Sequence, residues 1–397
     1  MKNQFKILLL MLITSTVIYA QKSSAIEMDE KHTIYKENFT TNDNTILVLN
    51  LNNTKAQIFQ SPDDKVYIEY TKEFKNTRKK RIQTQLKLII VSGKKEGNKI
   101  TYSSKLRNTT NIDRYGWEDL MIDRSEKKKF LNLNDSVKKP VERKSLDSVL
   151  YEIKGSDSLY RNKLFGALKI KPRVKKWKKS DQIIITKMNI KIPKNIRVRA
   201  TLENSNVVFI DDFYNPATMN IRNSKLRFKK IDNPLNIFDV DNGYFWASDL
   251  SSGKFSFANV RQLMIGELSN TVINSEFTQA EIGEIGKGNK IIDFNSEYFF
   301  YNWTNDFQRF DLFSEYSKIH FFYPDLNHNL EVIGYNTRNI VGDDGFEVTM
   351  QPKSKERNRL MSKPSNPEEK SSGLIFFDIV NGIIYSHNDS IKSINKD

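Results

Sequence analysis

One ten-residue pattern limits what this chain can fold into more than any other feature: apolar-x-apolar-x-Asn-(Ser/Thr/Gly)-x-apolar-x-apolar. Its clearest copies are residues 200–209 around Asn204-Ser205, residues 219–228 around Asn223-Ser224, and residues 238–247 around Asn242-Gly243, with their Asn residues 19 apart. An early copy lies at residues 49–58 around Asn53-Thr54. Looser copies sit at Asn270-Thr271, Asn289-Lys290 and Asn336-Thr337, and one at Tyr316-Ser317 lacks the Asn.

Each half of the pattern alternates apolar with other residues, the period of a strand with one buried face. The central Asn pair is turn chemistry, because Asn and Gly tolerate positive φ and the Asn amide bonds nearby backbone. One copy therefore reads as strand, corner, strand. A period of about 20 residues suits a solenoid coil, whereas a propeller blade needs roughly 40. Stacked copies would share a column of apolar residues that no copy could bury alone. The expected fold class is all-β: a single-stranded, β-helix-like solenoid with a basic, partly helical insertion. A β-sandwich of short strands is the competing reading. The spacing widens to 28 between Asn242 and Asn270, where Ser252–Phe257 fits a half-copy, and to 27 between Asn289 and Tyr316. Longer loops on one side would explain both gaps.

The flanking sequence divides the chain. Lys2 and Lys6 precede the apolar run Ile7–Ile18, then Ala20-Gln21, which predicts a signal peptide over residues 1–20 and export to the periplasm or cell surface. Residues 21–103 predict a β segment, a first coil and a hairpin around the Gly93–Asn98 loop. Residues 104–182 lose the alternation, and Leu146, Val149, Leu150 and Ile153 follow helical spacing between Ser145 and Gly155. The coils are expected over 183–351, a polar linker over 352–372, and a C-terminal hairpin or cap over 373–397, on the signal Val380-Asn381-Gly382. The chain has no Cys, so disulfides and thiolate metal sites are excluded and stability must come from packing.

The formal net charge of +15 is unevenly placed. Residues 105–181 hold 21 basic against 11 acidic residues, while residues 182–351 hold 17 against 21. Lys171, Arg173, Lys175, Lys176, Trp177, Lys178 and Lys179 crowd the end of the insertion and are candidates for contact with an acidic partner. Outside the cytoplasm that partner would be acidic polysaccharide, anionic lipid headgroups or an envelope protein. Specific nucleic-acid recognition is not expected. A solvated tether kept soluble by charge accounts for the same run at least as well. Aromatic residues crowd positions 298–323, and Tyr301 and Trp303 are the candidates for an exposed stacking face.

No catalytic, cofactor-binding or metal-ligating set emerges. The four His residues lie in separate segments without helical i, i+4 pairing. Asp239-Val-Asp241-Asn242-Gly243 starts like a calcium loop and lacks the rest of it, and Gly283–Gly288 lacks the Lys-Ser/Thr of a phosphate loop. A polysaccharide lyase or hydrolase would need converging carboxylates, for which Asp211, Asp212, Asp239, Asp241, Glu281 and Glu284 are available.

From Ile190 a strand ends in Ile192-Pro193, a short turn leads to Ile196-Arg-Val198, and the Asn/Gly-x-x-apolar-x-apolar units follow. This arrangement resembles the adhesin-like β-solenoid families of secreted bacterial proteins, the head GIN and adhesin-like domains of unknown function. The resemblance covers residues 183–341 and, more weakly, 46–103. It implies a β-solenoid, an interaction role at the envelope or surface, no enzyme activity and no cofactor. The chain departs from those families in its basic insertion and in placing Asn where Gly is usual.

Overall fold

The computed structural model describes residues 27–107, 183–324, 326–341, 347–350, 358–369 and 373–387. The expected signal peptide, the insertion with its helices, and the basic run from Lys171 to Lys179 lie outside the described residues.

The described chain is all-β, with one helix, α1 (Lys79–Lys87), beside a 22-stranded open sheet. Before the insertion lie β1 (Glu27–Thr40), β2 (Ile46–Asn52), β3 (Lys55–Gln60), β4 (Lys65–Arg78), β5 (Ile89–Glu96) and β6 (Lys99–Leu106). After it come β7 (Ile183–Ile192), β8 (Arg197–Glu203), β9 (Asn206–Phe209), β10 (Ala217–Asp232), the long β11 (Ile237–Glu276), β12 (Gln279–Ile285), β13 (Asn289–Phe294) and β14 (Glu297–Trp303). The remainder is β15 (Arg309–Glu315), β16 (Lys318–Phe322), β17 (Asn329–Tyr335), β18 (Arg338–Val341), β19 (Glu347–Met350), β20 (Asn358–Lys363), β21 (Leu374–Val380) and β22 (Ile383–His387).

The repeat dictates the pairing. β8 lies parallel to the first half of β10, and β10 parallel to β11, so Ala200, Met219 and Phe238 fall in one row and Leu202, Ile221 and Val240 in another. All six are buried. A slip by one residue would turn every one of them outward, which fixes the register. The other half of each unit aligns Val207, Leu226 and Phe245 in the same way. Aromatic rings fill the interior, with Phe209 stacked on Phe228 at 4.0 Å and Phe228 tilted against Phe245 at 5.6 Å.

Between the halves the chain turns through left-handed backbone. Asn53, Asn204, Asn223, Asn242, Asn259, Phe277, Asn295, Tyr316, Asn381 and Asn336 all have φ between 48° and 60°. They lie at matched positions. The amide of Asn53 donates to the carbonyl of Glu203, Asn204 to Arg222, Phe277 to Phe294, Asn295 to Glu315, Tyr316 to Val380 and Asn381 to Tyr335. Asn242 Nδ2 donates to Asn223 Oδ1 at 2.8 Å. The hydroxyl residue after the Asn has its own task. Ser205, Ser224 and Ser296 each donate to the carbonyl two residues back, at 2.7–3.2 Å. Ser205, Ser224, Ser296 and Ser317 also accept the backbone N–H of Thr54, Ser205, Thr278 and Ser296 respectively, at 3.0–3.2 Å. A small hydroxyl side chain thus satisfies buried backbone that the bend removes from the strand ladder. Gly takes this place at Gly243 and Gly382, and at Gly243 a Cβ would stand 2.0 Å from the Ser224 carbonyl oxygen.

The wide spacings have a different origin from the expected longer loops. Asn270 and Asn289 belong to the opposite bend, where Asn289 Oδ1 accepts the Thr271 N–H and Asn289 Nδ2 donates to the Leu268 carbonyl at 3.1 Å each. The corner column instead continues through Asn259, Phe277 and Asn295.

The C-terminal segment also departs from expectation. β21 and β22 do not pair with each other as a hairpin. β21 runs parallel between β15 and β17, and β22 parallel between β16 and β18. Asn381-Gly382 is one more corner of the column, because Asn381 has φ 53° and its amide bonds the unit beside it. Antiparallel strands flank the stack: β20 on β17 and β19 on β18 at one end, and β5 on β6, β4 on β7 and β1 on β4 at the other. β6 lies parallel to β2 and β7 parallel to β3. The insertion therefore leaves and re-enters where other units have their corner, and Asn53 Nδ2 reaches the Leu106 carbonyl at 3.3 Å. Among the described residues no helix is long and apolar enough to cross a membrane, which says nothing about strands.

Candidate interaction surface

The corner column is a side-chain ladder as well as a backbone one. Asn223, Asp241, Asn242, Asn259, Arg261, Phe277 and Gln279 line an open ledge of about 670 Å³. Asn259 Nδ2 donates to Asp241 Oδ1 at 3.4 Å. The polar part of the ledge thus offers amide donors and acceptors, one carboxylate and one guanidinium along a single line.

Beyond Phe277 the ledge becomes aromatic. Phe277 meets Phe294 edge to face at 5.7 Å, and Phe294 meets Tyr316 at 5.8 Å. Phe277 is 51% exposed, Phe294 40% and Tyr316 53%, with Ile292 44% exposed beside them. Two of these rings sit on unfavourable backbone, since Phe277 has φ 49° and Tyr316 φ 60°. A bulky residue there costs roughly 1–2 kcal/mol that Asn or Gly largely avoids. Neither ring is buried, so core packing does not offset the cost. Strain of this kind, held at an exposed position, points to a role outside folding.

The structure corrects one expected site. Tyr301 and Trp303 are 3% and 8% exposed and form no open stacking face. Trp303 turns into the interior, edge-on to Phe307, Phe310 and Phe321, and its indole N–H donates to the Phe322 carbonyl at 3.2 Å. Tyr301 lies against Phe299 and Phe322. Both faces of β14 are covered, which alternation alone could not indicate.

The candidate carboxylates are dispersed. Asp212 pairs with Lys229 at 3.0 Å, Asp211 accepts the Gln60 N–H at 2.9 Å, and Asp241 lies on the ledge. Where carboxyl pKa shifts are resolved they run downward: at Asp63 through the Tyr67 hydroxyl, at Glu96 through Lys94 and at Asp306 through the Thr304 hydroxyl. Among the described residues no three metal-binding side chains gather.

The aromatic part of the ledge carried a sequence signal. Ile273-Asn-Ser275-Glu-Phe277-Thr278-Gln-Ala280-Glu-Ile282 is the repeat with Phe in place of Asn, and Tyr316-Ser317 is the repeat with Tyr. Reading the missing Asn as loss of signal, instead of as replacement by a costly residue, hides the site.

No family model matches the chain. No curated protein matches it. Among solved structures, a protein from Clostridium sporogenes ATCC 15579 provisionally assigned to cell adhesion aligns over 91% of this chain and all of its own, with 9% identity and a TM-score of 0.17. At that score the likeness carries no argument about fold or function.

Proposed function

We propose that this chain is an exported, non-enzymatic β-solenoid that works as an adhesin-like interaction protein at the envelope or surface, binding glycan chains along its corner ledge. Support for the solenoid comes from ten corners in one column and from parallel pairing that repeats at offsets of 18, 19 and 21 residues. The observation that carries the binding role is the exposed pair Phe277 and Tyr316 on left-handed backbone. Aromatic faces take the apolar faces of sugar rings, and the amides of Asn223, Asn242 and Asn259 suit their hydroxyls. Export rests on the N-terminal sequence alone.

The test is a glycan array probed with the intact protein and with a triple variant, Phe277→Asn, Phe294→Ser and Tyr316→Asn. Asn fits the left-handed corners, so the variant should fold and should lose binding at least tenfold. Equal binding by the two proteins overturns the assignment of the ledge. A polysaccharide-active enzyme is the second reading, favoured by Asp241 and Arg261 on one ledge. Appearance of shortened or unsaturated chains, abolished by Asp241→Asn, would establish it.

A further inference from the structure

The aromatic part of the corner ledge continues onto the flat face beside it. The strands that lead into the corner in the later units are the end of β11, then β13, β15, β21 and β17, each parallel to the next. Ile273, Ile291, Leu312, Ile375 and Phe377 of these strands belong to the core cluster, so alternation turns Phe294, Phe313 and Phe376 outward.

Register sets the course of these rings. Phe294 is the partner of Glu276 on one side and of Glu315 on the other. Phe313 lies two residues back from Glu315, and Phe376, the partner of Asp311, lies two residues back again. Phe277 follows Glu276 at the corner. Each further strand thus adds one ring, displaced about 4.8 Å across the sheet and about 6.6 Å along it. Phe277, Phe294, Phe313 and Phe376 form a diagonal roughly 20 Å long. Phe277 and Phe294 stand 5.7 Å apart, Phe313 and Phe376 5.8 Å, and Lys290 Nζ lies 5.0 Å from the Phe313 ring centre. Phe277 and Phe294 are exposed, and Phe313 and Phe376 half-buried. The fold does not call for rings here, since the equivalent strands of earlier units carry Asn50, Thr201 and Asn220 outward.

Charged side chains flank the diagonal. Glu315 and Glu331 lie on one side, and Glu276, Lys290 and Asp311 on the other, with Arg309 paired to Asp311 at 2.8 Å. A lipid surface or an apolar helix laid over the rings would take water from these charges and return nothing. Sugar hydroxyls would bond to them while C–H faces rest on the rings. Carboxylates outnumber cations along the diagonal, which disfavours an acidic chain.

We propose that Phe277, Phe294, Phe313 and Phe376 form a track that extends the ledge across the flat face and takes a neutral polysaccharide. Its pyranose rings carry their hydroxyls equatorially, which leaves each ring an apolar face. The track rests on the reading of the ledge as a glycan site.

The experiment compares the intact protein with a Phe313→Thr, Phe376→Thr variant, which leaves the ledge untouched. Both are titrated with the neutral polymers hydroxyethyl cellulose, arabinoxylan and glycol chitin. Carboxymethyl cellulose supplies the first of these backbones with added carboxylates. Thr suits an outward strand position, so the variant should keep the melting curve of the parent. The parent should bind at least one neutral polymer, and the variant should bind it about tenfold more weakly. Equal binding by the two proteins overturns the track and leaves the ledge standing. No binding of any neutral polymer overturns the track, and the glycan array then decides the ledge separately. Tighter binding of carboxymethyl than of hydroxyethyl cellulose, lost in the variant, overturns the assignment of a neutral chain. Where the variant does not fold, hydroxyl-radical footprinting of the intact protein decides. The neutral polymer should protect Phe313 and Phe376 and leave Tyr214 and Leu235, exposed elsewhere, unchanged. Unprotected rings overturn the proposal.

Discussion

At the scale of single residues, the corner explains why the repeat reads Asn-(Ser/Thr/Gly). Asn accepts φ near 50° at small cost, and the hydroxyl after it satisfies a carbonyl in its own unit and an N–H in the preceding one. Ser296 shows the consequence. Its hydroxyl accepts the Thr278 N–H at 3.0 Å and donates to the Phe294 carbonyl at 3.2 Å. Ser296→Ala should cost on the order of 1–3 kcal/mol, read from urea unfolding, because a buried N–H loses its partner. Phe277 and Tyr316 give the opposite sign. Phe277→Asn and Tyr316→Asn should each raise stability by about 1 kcal/mol while weakening ligand capture, the trade expected where strain is kept for function. If either variant is less stable than the parent, the strain argument for the ledge fails.

At the scale of elements, the stack holds a polar cluster within its apolar interior. Asp293 of β13 accepts from the hydroxyls of Ser275, Ser314 and Ser317 at 2.6, 3.1 and 2.5 Å. Tyr298 donates to Ser275 at 2.6 Å, and its phenol pKa is raised well above the usual value, first by burial and then by Asp293. The cluster ties β11, β13, β14 and β15 together. Asp293→Ala should cost about 2–4 kcal/mol, since three buried hydroxyls lose one acceptor. Chemical denaturation of the variant checks it, and a loss below 0.5 kcal/mol would mean water replaces the carboxyl. This scale also shows where legibility stopped. The alternation over Met219–Phe228 fixed two strands and one corner directly. Over Gln262–Asn289 two kinds of bend, both rich in Asn, share one stretch of sequence, and spacing alone could not say which Asn lay above which.

At the scale of the whole molecule, each unit contacts its neighbours in space, and those need not be neighbours in sequence. β2 and β3 lie beside β8 and β9 across the insertion, and β21 and β22 slide between units from earlier in the chain. A stack of this kind should tolerate removal of one full period. Deleting residues 220–238 joins Met219 to Asp239 and keeps every side chain on its face, because Met219 and Phe238 are register partners. The shortened protein should keep its β circular dichroism and cooperative melting at a lower Tm. Deleting half that length should not. Equal collapse of both would end the solenoid reading.

The sequence by itself determined the all-β class, the strand faces and the left-handed corners, because alternation and Asn-Ser chemistry are local and act on adjacent residues. Tertiary structure alone decided which corners form one column, that Asn381-Gly382 is a corner and no hairpin turn, and that Tyr301 and Trp303 are buried while Phe277 and Tyr316 are exposed. The physical reason is that exposure and strand order are set by whatever lies across a face or beside an edge, and those neighbours stand up to 154 residues away along the chain.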